Sequence, residues 1–172
     1  LNESLGTIFT ADGGFPEGTG YMAYTLDNAL PALAIYGNAR GKPLRDLLPP
    51  LLAGTDDYLE VFRSTEQPRS LILSSDAQGG PWAGVSASTL AVLAKIRPGG
   101  AAARMLAALP TNQRDRLALW ALPAPDLAGI DPDHYEPFTL LPASGFAAST
   151  RKLGGEWVKL VVCGGPSRAG HN

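Results

Sequence analysis

Two tyrosines and a carboxylate lie close together near the start of the chain, beside a loop rich in glycine and proline. Tyr21 and Tyr24 follow Glu17 within the segment that runs from residue 12 to residue 24. A tyrosine that acts as a base must lose a proton whose ordinary pKa is about 10, so it needs a nearby positive charge or hydrogen-bond donor. This segment is therefore either an elaborate helix start or one wall of an active site.

A second group of polar residues lies at the other end of the chain. His171 stands between Arg168 and Asn172, in a glycine-rich segment that follows a strand pattern. A histidine in a rigid turn at a strand end is well placed for proton transfer or charge stabilisation, and an ordinary loop histidine is the alternative. If the two ends of the chain meet, Arg168 and His171 would supply the positive charge that a catalytic tyrosine needs.

Other polar residues have simpler interpretations. Glu17 is a hydrogen-bonding partner, a substrate contact or an acid favoured by the helix dipole, and the sequence alone favours the last. Aromatic residues near a helix start more often pack than catalyse, although Tyr21 and Tyr24 lie off the apolar face. His134, in a polar linker, is predicted to be a solvated side chain. Cys163, on a strand pattern, is predicted to be a small buried hydrophobe.

Composition and missing motifs narrow the function classes. The chain has 172 residues, 45% of them hydrophobic, with a net charge of −2, as in an ordinary globular protein without general attraction to nucleic acid or acidic membranes. No apolar stretch reaches the roughly 18 residues that span a bilayer. The sequence lacks a phosphate-binding glycine loop, a Cys or His cluster at metal-ligand spacing and a nucleophile elbow.

The pattern from residue 21 onward predicts a long helix with an apolar face and a polar, aromatic face. The apolar positions recur at helical spacing and are Met22, Leu26, Leu30 and Leu33. The other face carries Tyr21, Tyr24, Thr25 and Asn28. We expect Pro31 to kink this helix or to mark its middle, and Gly37 and the Gly41-Lys42-Pro43 step to end it.

Shorter helical patterns follow, and they predict an all-α array of antiparallel helix pairs without strands. Their approximate ranges are 44–52, 57–65, 81–96, 101–109 and 114–122, with a short extended segment and a loop at 69–80. Thr55, Asp56 and Asp57 supply capping chemistry for the helix that begins near residue 57.

The composition changes at residues 123–137, where prolines and acidic residues predict a connection between two domains. Strand patterns then occupy residues 138–141, 145–152 and 157–163, and the Gly154-Gly155 step predicts a hairpin turn. Two or three strands do not make a stable sheet alone. We therefore expect this chain to be an internal part of a longer protein.

Two motifs resemble those of the heparinase II/III-like polysaccharide lyases. The segment from Asp12 to Tyr24 is similar to that family's loop of the form DGG-aromatic-PEG-x-GY. The segment from Leu141 to Phe146, continued at residues 164–172, looks like the family's opening sandwich strands and the start of its GHxH segment. Residues 74–76 are also similar to a family loop. The resemblance spans nearly the whole chain in the correct order.

The resemblance implies a multidomain chain, α then β, with the active site in a groove between the domains. Residues 1–127 would form part of an (α/α) toroid, 128–137 a linker, and 138–172 the first strands of an antiparallel β-sandwich. It implies a bacterial enzyme, periplasmic or secreted, that cleaves a uronic-acid polysaccharide of the glycosaminoglycan or alginate type by β-elimination. Helices before residue 1 would supply further substrate contacts, so this part alone is expected to be inactive.

The resemblance also implies a role for each candidate residue. The C5 proton beside a uronate carboxylate becomes removable only when that carboxylate is neutralised. His171, with help from Asn172, would hydrogen-bond to the carboxylate. Tyr21 would take the C5 proton and return one to the O4 leaving group, with Tyr24 as the alternative. Glu17 and Arg168 would contact the substrate.

The family commonly holds a zinc ion in the sandwich. The first ligand would come two residues after His171, so the resemblance implies no metal ligand within this chain. The expected partner is an acidic polysaccharide, with neither nucleic acid nor membrane, and the oligomeric state is left open.

Two other classes of function fit the same residues. A carbohydrate-binding or scaffold protein on the same toroid would use Tyr21 and Tyr24 as stacking platforms for sugar rings, without catalysis. A toroid glycoside hydrolase would need two carboxylates beside the scissile bond, and Glu17 with Asp76 is the pair that the sequence offers.

Overall fold

A group of helices precedes a three-stranded antiparallel sheet. The computed structural model describes residues 6–72, 82–114 and 124–164. The predicted order, α then β, is confirmed within these ranges. No helix among the described residues combines the length and apolar character needed to cross a membrane.

The described helices are α1 (Thr19–Arg40), α2 (Thr55–Phe62), α3 (Ala87–Ile96), α4 (Ala101–Ala107) and α5 (Thr111–Arg114), with short 3-10 helices at Leu44–Asp46 and Pro50–Ala53. The strands are β1 (Ser70–Ile72), β2 (Trp82–Gly84), β3 (Phe138–Leu141), β4 (Phe146–Leu153) and β5 (Glu156–Cys163). β1 pairs with β2, and β3, β4 and β5 form the second sheet in that order.

The first long helix matches its sequence pattern. The side chains of Met22, Leu26 and Leu30 are fully buried, as predicted. Pro31 lies inside α1, which continues to Arg40. Gly41 ends the helix in the left-handed conformation, with φ +61°, and its N–H donates to the carbonyl of Asn38. Burial of this apolar face against the other helices, rather than propensity alone, stabilises α1.

Two predictions about the helical part are wrong. The prediction that it contains no strands fails because β1 pairs with β2, and each is only three residues long. Alternation over three residues is too short to be detected as a strand pattern. The helix predicted from residue 81 begins at Ala87, after Ser86 accepts the N–H of Thr89 at its N-terminus. A prediction at residues 114–122 lies mostly outside the described residues.

The capping prediction is wrong as well. The residue at the N-terminal cap of α2 is Gly54, and no side chain caps this helix. The carboxylate of Asp56 instead accepts the N–H groups of Ala101 and Ala102, at 2.8 and 2.9 Å, and so caps α4. Tertiary packing decides whether a side chain caps its own helix or a neighbouring one, and the local sequence does not encode that packing.

One face of the β3–β4–β5 sheet packs against the helices. The ring of Phe146 on β4 lies 5.0 Å from that of Phe62 and 6.1 Å from that of Tyr58, both on α2. Ala148 and Thr150 on the same strand are buried. The predicted hairpin turn is confirmed, because Gly154 and Gly155 both have positive φ, at 59° and 94°.

The opposite face of this sheet is apolar and exposed, and we call it the open face. Its large side chains are each 47 to 64% exposed and are Phe138, Leu140, Val158, Leu160 and Val162. The pairing register places Phe138 and Leu160 on either side of Ser149, and Leu140 and Val162 on either side of Ala147. Cys163 is exposed at the end of β5, so the prediction that it is buried is wrong.

Candidate functional site

The glycine-rich loop before α1 has a fixed shape. The N–H of Gly13 donates to the carbonyl of Thr10 at 2.9 Å, and the N–H of Thr10 donates to the carbonyl of Gly14 at 2.9 Å. Gly13 has φ +78°, and a Cβ there would overlap the backbone nitrogen of Thr55 at the start of α2. Glycine is therefore required at residue 13 both by its conformation and by the close approach of another backbone.

Side chains from α2 hold the loop from the helical side. Thr55 Oγ1 donates to the carbonyl of Gly13 at 3.1 Å, and the hydroxyl of Tyr58 donates to the carbonyl of Phe15 at 3.2 Å. Both bonds are buried, and each gives a loop carbonyl a hydrogen-bond partner in an apolar environment. At the end of the loop, Thr19 begins α1 and its Oγ1 donates to the carbonyl of Ile72 on β1 at 3.1 Å.

Asp12 connects the same loop to the sheet. Its Oδ2 accepts the N–H groups of Ala143 and Ser144, at 2.7 and 3.0 Å, in the turn between β3 and β4. Its Oδ1 accepts the hydroxyls of Thr10 and Ser144, at 2.7 and 2.5 Å. Burial raises the pKa of Asp12, but these hydrogen bonds outweigh it, and the pKa lies below its ordinary value of 3.8.

The tyrosines that follow the loop are on the surface of α1. Tyr21 is 44% exposed and Tyr24 is 71% exposed, which confirms that they lie off the apolar face. Asn28, one turn further along, is also exposed and donates its side-chain N–H to the carbonyl of Tyr24 at 2.6 Å. Ile35 and Tyr36 continue the exposed face of α1, at 53% and 48% exposure. This face therefore presents aromatic rings to solvent over the length of the helix.

Glu17 is exposed and lies one residue before Gly18, the N-cap of α1. Gly18 has φ +92°, which favours glycine, and the first turn of the helix holds no acidic residue. Glu17 is thus free to contact either a ligand or the solvent near the helix N-terminus.

The residues predicted at the far end of the chain cannot be compared with the tyrosines. Arg168, His171 and Asn172 lie outside the described residues, as does Asp76. The predicted meeting of the tyrosines with His171 stays a prediction. His134 is 56% exposed at its side chain, as expected for a linker residue, and its Nε2 lies 3.5 Å from Glu136.

A buried charged cluster that no sequence pattern predicted joins α2, the linker and β5. The side chains of Glu60 on α2 and Lys159 on β5 are 3% and 2% exposed, with Nζ 3.7 Å from Oε1. Nζ also donates to the carbonyl of Glu60 at 2.5 Å. Desolvation lowers the pKa of Lys159 from 10.5 to about 8, although Glu60 opposes this shift.

Arg63 and Tyr135 complete this cluster. The guanidinium of Arg63 lies 4.3 Å from the centre of the Tyr135 ring, donates to the carbonyl of His134 at 2.9 Å, and is fully buried. The hydroxyl of Tyr135 donates to the carbonyl of Ser64 at 3.0 Å. Side chains in such contact are closed to a polysaccharide, so the cluster positions the sheet against α2 rather than forming a binding site.

No protein-family model, curated protein or solved structure matches this chain. No group of three or more His, Cys, Asp and Glu side chains in the described ranges is arranged to hold a metal ion. The candidate site consists, in the described part of the chain, of Glu17, Tyr21 and Tyr24 beside a loop held at the junction of helices and sheet.

Proposed function

We propose that this chain is part of a polysaccharide lyase that cleaves a uronic-acid polysaccharide by β-elimination. The observation that carries the proposal is the pair of exposed tyrosines, Tyr21 and Tyr24, directly after a loop bonded to both α2 and the β3–β4 turn. A catalytic tyrosine must reach the solvent-filled groove where a polymer binds, yet its backbone must be held in place. The solvent exposure of both tyrosines and the bonds that hold the preceding loop support this role.

The fold proposed with this function is part of an (α/α) toroid followed by a β-sandwich. The exposed open face of the sheet supports the second part, because a face with five large apolar side chains at 47 to 64% exposure is suited to packing against a second sheet. The helices that precede the sheet support the first part. The loop from Asp12 to Tyr24 and the segment from Leu141 resemble the corresponding segments of the heparinase II/III-like lyases in the same order.

In the proposed reaction a tyrosine removes the C5 proton of the uronate, the C4–O4 bond breaks, and a C4–C5 double bond forms. The tyrosine, now protonated, returns a proton to the O4 leaving group. His171 and Asn172 hydrogen-bond to the uronate carboxylate and stabilise the charge that develops there. Tyr21 is the first candidate for the acid and base, and Tyr24 is the second. Arg168 and Glu17 contact the polymer.

Zinc belongs to this proposal as an ion bound in the sandwich, with ligands outside this chain. No step of the elimination passes through it. The site of action proposed is the bacterial periplasm or the exterior of the cell.

A carbohydrate-binding function without catalysis is the second candidate. The observation that favours it is the exposed face of α1, where Tyr24 at 71% and Tyr36 at 48% exposure present rings to solvent. Aromatic faces bind the apolar faces of sugar rings without any proton transfer. A binding protein would use Tyr24 and Tyr36 equally, whereas a lyase would depend on one tyrosine near the loop.

The full-length protein tests these alternatives when it is incubated with heparin, heparan sulfate and alginate. Elimination creates an unsaturated uronate whose ultraviolet absorbance rises with each cleavage. New reducing ends without that absorbance would show hydrolysis and refute the lyase proposal. Binding with neither signal would favour the carbohydrate-binding function.

Tyrosine variants then locate the acid and base. Tyr21→Phe or Tyr24→Phe should lower turnover by about 10²- to 10⁴-fold, the usual contribution of general acid–base catalysis, while substrate affinity is retained. Tyr36→Phe is the matched control, because Tyr36 is a similarly exposed tyrosine on the same helix. If all three variants lower turnover equally and only slightly, neither Tyr21 nor Tyr24 is the catalytic acid and base.

A further inference from the structure

The turn between β3 and β4 touches the glycine-rich loop through a compact set of hydrogen bonds that we call the Asp12 clamp. Its members are Asp12 and Thr10 from the loop, and Ala143 and Ser144 from the turn. Both hydroxyls donate to the same carboxylate oxygen, and this brings Thr10 Oγ1 and Ser144 Oγ to 2.7 Å from each other. More than 130 residues of sequence separate the two sides of this network.

The clamp has a steric part as well as a polar part. A Cβ at Gly14 would overlap the hydroxyl of Ser144 and approach Thr10 Oγ1 to 2.9 Å. Gly14 therefore allows the turn to lie directly against the loop backbone. Hydrogen bonds to a charged carboxylate are stronger than neutral ones, and this carboxylate accepts four of them in a partly buried setting.

We propose that Asp12 is a positioning residue, which fixes the glycine-rich loop to the β3–β4 turn so that the sheet sets the placement of Glu17 and Tyr21. On one side of the loop, Thr55 and Tyr58 of α2 donate to the carbonyls of Gly13 and Phe15. The clamp attaches the other side of the loop to the turn through Asp12, which precedes Gly13 in the chain. A loop attached on both sides cannot rotate about either attachment.

The consequence for function rests on the proposed lyase activity. If the substrate groove lies between helices and sheet, its two walls must keep a fixed distance for a tyrosine to reach C5 while groups of the β-domain hold the carboxylate. A misplacement of about 1 Å can lower turnover by about 10²-fold. The clamp would maintain this distance.

Amide hydrogen exchange tests the clamp without any assay of activity. In Asp12→Asn the N–H groups of Gly13 and Gly18 keep their own acceptors, the carbonyls of Thr10 and Phe15. Faster exchange at these two amides would therefore report release of the loop rather than loss of a direct bond. We expect their exchange to rise about tenfold or more, because bonds to a charged group are removed, while amides of α3 stay unchanged.

Matched variants separate the clamp from general damage. Ser144→Ala and Thr10→Val remove one hydroxyl each and should act in the same direction as Asp12→Asn, whereas Thr10→Ser keeps the hydroxyl and should exchange like the wild type. Asp131→Asn is the control, since the carboxylate of Asp131 accepts one N–H, that of Asp133, in an exposed turn. If Asp12→Asn does not fold, Ser144→Ala carries the same test, because its hydroxyl bonds from the turn to Asp12, whereas Thr10 Oγ1 also bonds to the Gly14 carbonyl within the loop.

Unchanged exchange at Gly13 and Gly18 in Asp12→Asn and Ser144→Ala would overturn the proposal, because the loop would then be held without the clamp. A uniform rise that includes α3 would also overturn it, since the residues would then serve global stability. In the full-length protein, Asp12→Asn should lower kcat with little change in KM, and Thr10→Ser should not. An absence of lyase activity in the wild type would refute the proposed function, while the exchange result would still decide the clamp.

Discussion

Lys159 gives the sharpest quantitative prediction, because its ammonium group is buried at the contact between β5 and α2. Desolvation lowers its pKa from 10.5 to about 8, and the attraction of Glu60 offsets this only in part. Between these two pH values the unfolded chain binds more protons than the folded chain. The free energy of unfolding therefore rises with pH in this window. At 1.36 kcal/mol per pH unit, the rise reaches about 3 kcal/mol at most.

Lys159→Met removes the titrating group and keeps an apolar side chain of similar length. The difference in unfolding free energy, wild type minus Lys159→Met, should increase by about 2 to 3 kcal/mol between pH 7 and pH 10. Urea unfolding at several pH values, followed by circular dichroism of the helices, measures it. Subtraction of the two curves removes the contribution of other groups that titrate in the same range.

Charged groups from several elements face Lys159, and they guide the controls. These are Glu60 on α2, Arg63 directly after it, and Arg104 on α4, with the ring of Tyr135 5.2 Å from Nζ. Glu60→Gln should move the onset of the rise to lower pH, because Glu60 is the group that favours the charged lysine. Lys152→Met, at an exposed lysine on β4, should give a curve parallel to the wild type.

Parallel curves for the wild type and Lys159→Met would refute the reasoning. Such a result would mean that water reaches the ammonium group or that the pair with Glu60 fully compensates its burial.

Two further predictions concern single side chains that tertiary contacts make sensitive. Gly13→Ala should destabilise the protein by about 3 kcal/mol or more, whereas Gly129→Ala, with similar positive φ but open space around it, should cost only about 1 kcal/mol. Equal losses in thermal unfolding would refute the contact with Thr55. Asp56→Ala should cost about 2 kcal/mol by uncapping α4, and Asp57→Ala, which loses an exposed ion pair with Arg97, less than about 1 kcal/mol. The reverse order in urea unfolding would refute the capping role.

The sequence predicts those features that a few neighbouring residues decide. The buried face of α1, its end at Gly41 and the Gly154-Gly155 hairpin all appear as predicted. Each depends on side-chain periodicity or on a backbone angle that glycine adopts without strain. The same reasoning correctly places Tyr21 and Tyr24 off the apolar face.

Prediction from the sequence fails where a residue or strand distant in sequence decides the secondary structure or the hydrogen-bond partner. β1 becomes a strand because β2 pairs with it, and Asp56 caps α4 rather than its own helix. Glu17 lies beside the N-cap of α1, a position that suits both a dipole interaction and a ligand contact. The geometry that would join His171 to the tyrosines lies outside the described residues.

By itself, then, the sequence determined the helix-then-sheet order and the position of the tyrosines off the apolar face of α1. These follow from local periodicity. Only the tertiary structure decided that Asp12 bonds to Ser144 and that Lys159 is buried against Glu60. The physical reason is the same for both. A charged side chain on a short polar or alternating segment is solvated by default, and only the elements folded around it remove the water and supply its partners.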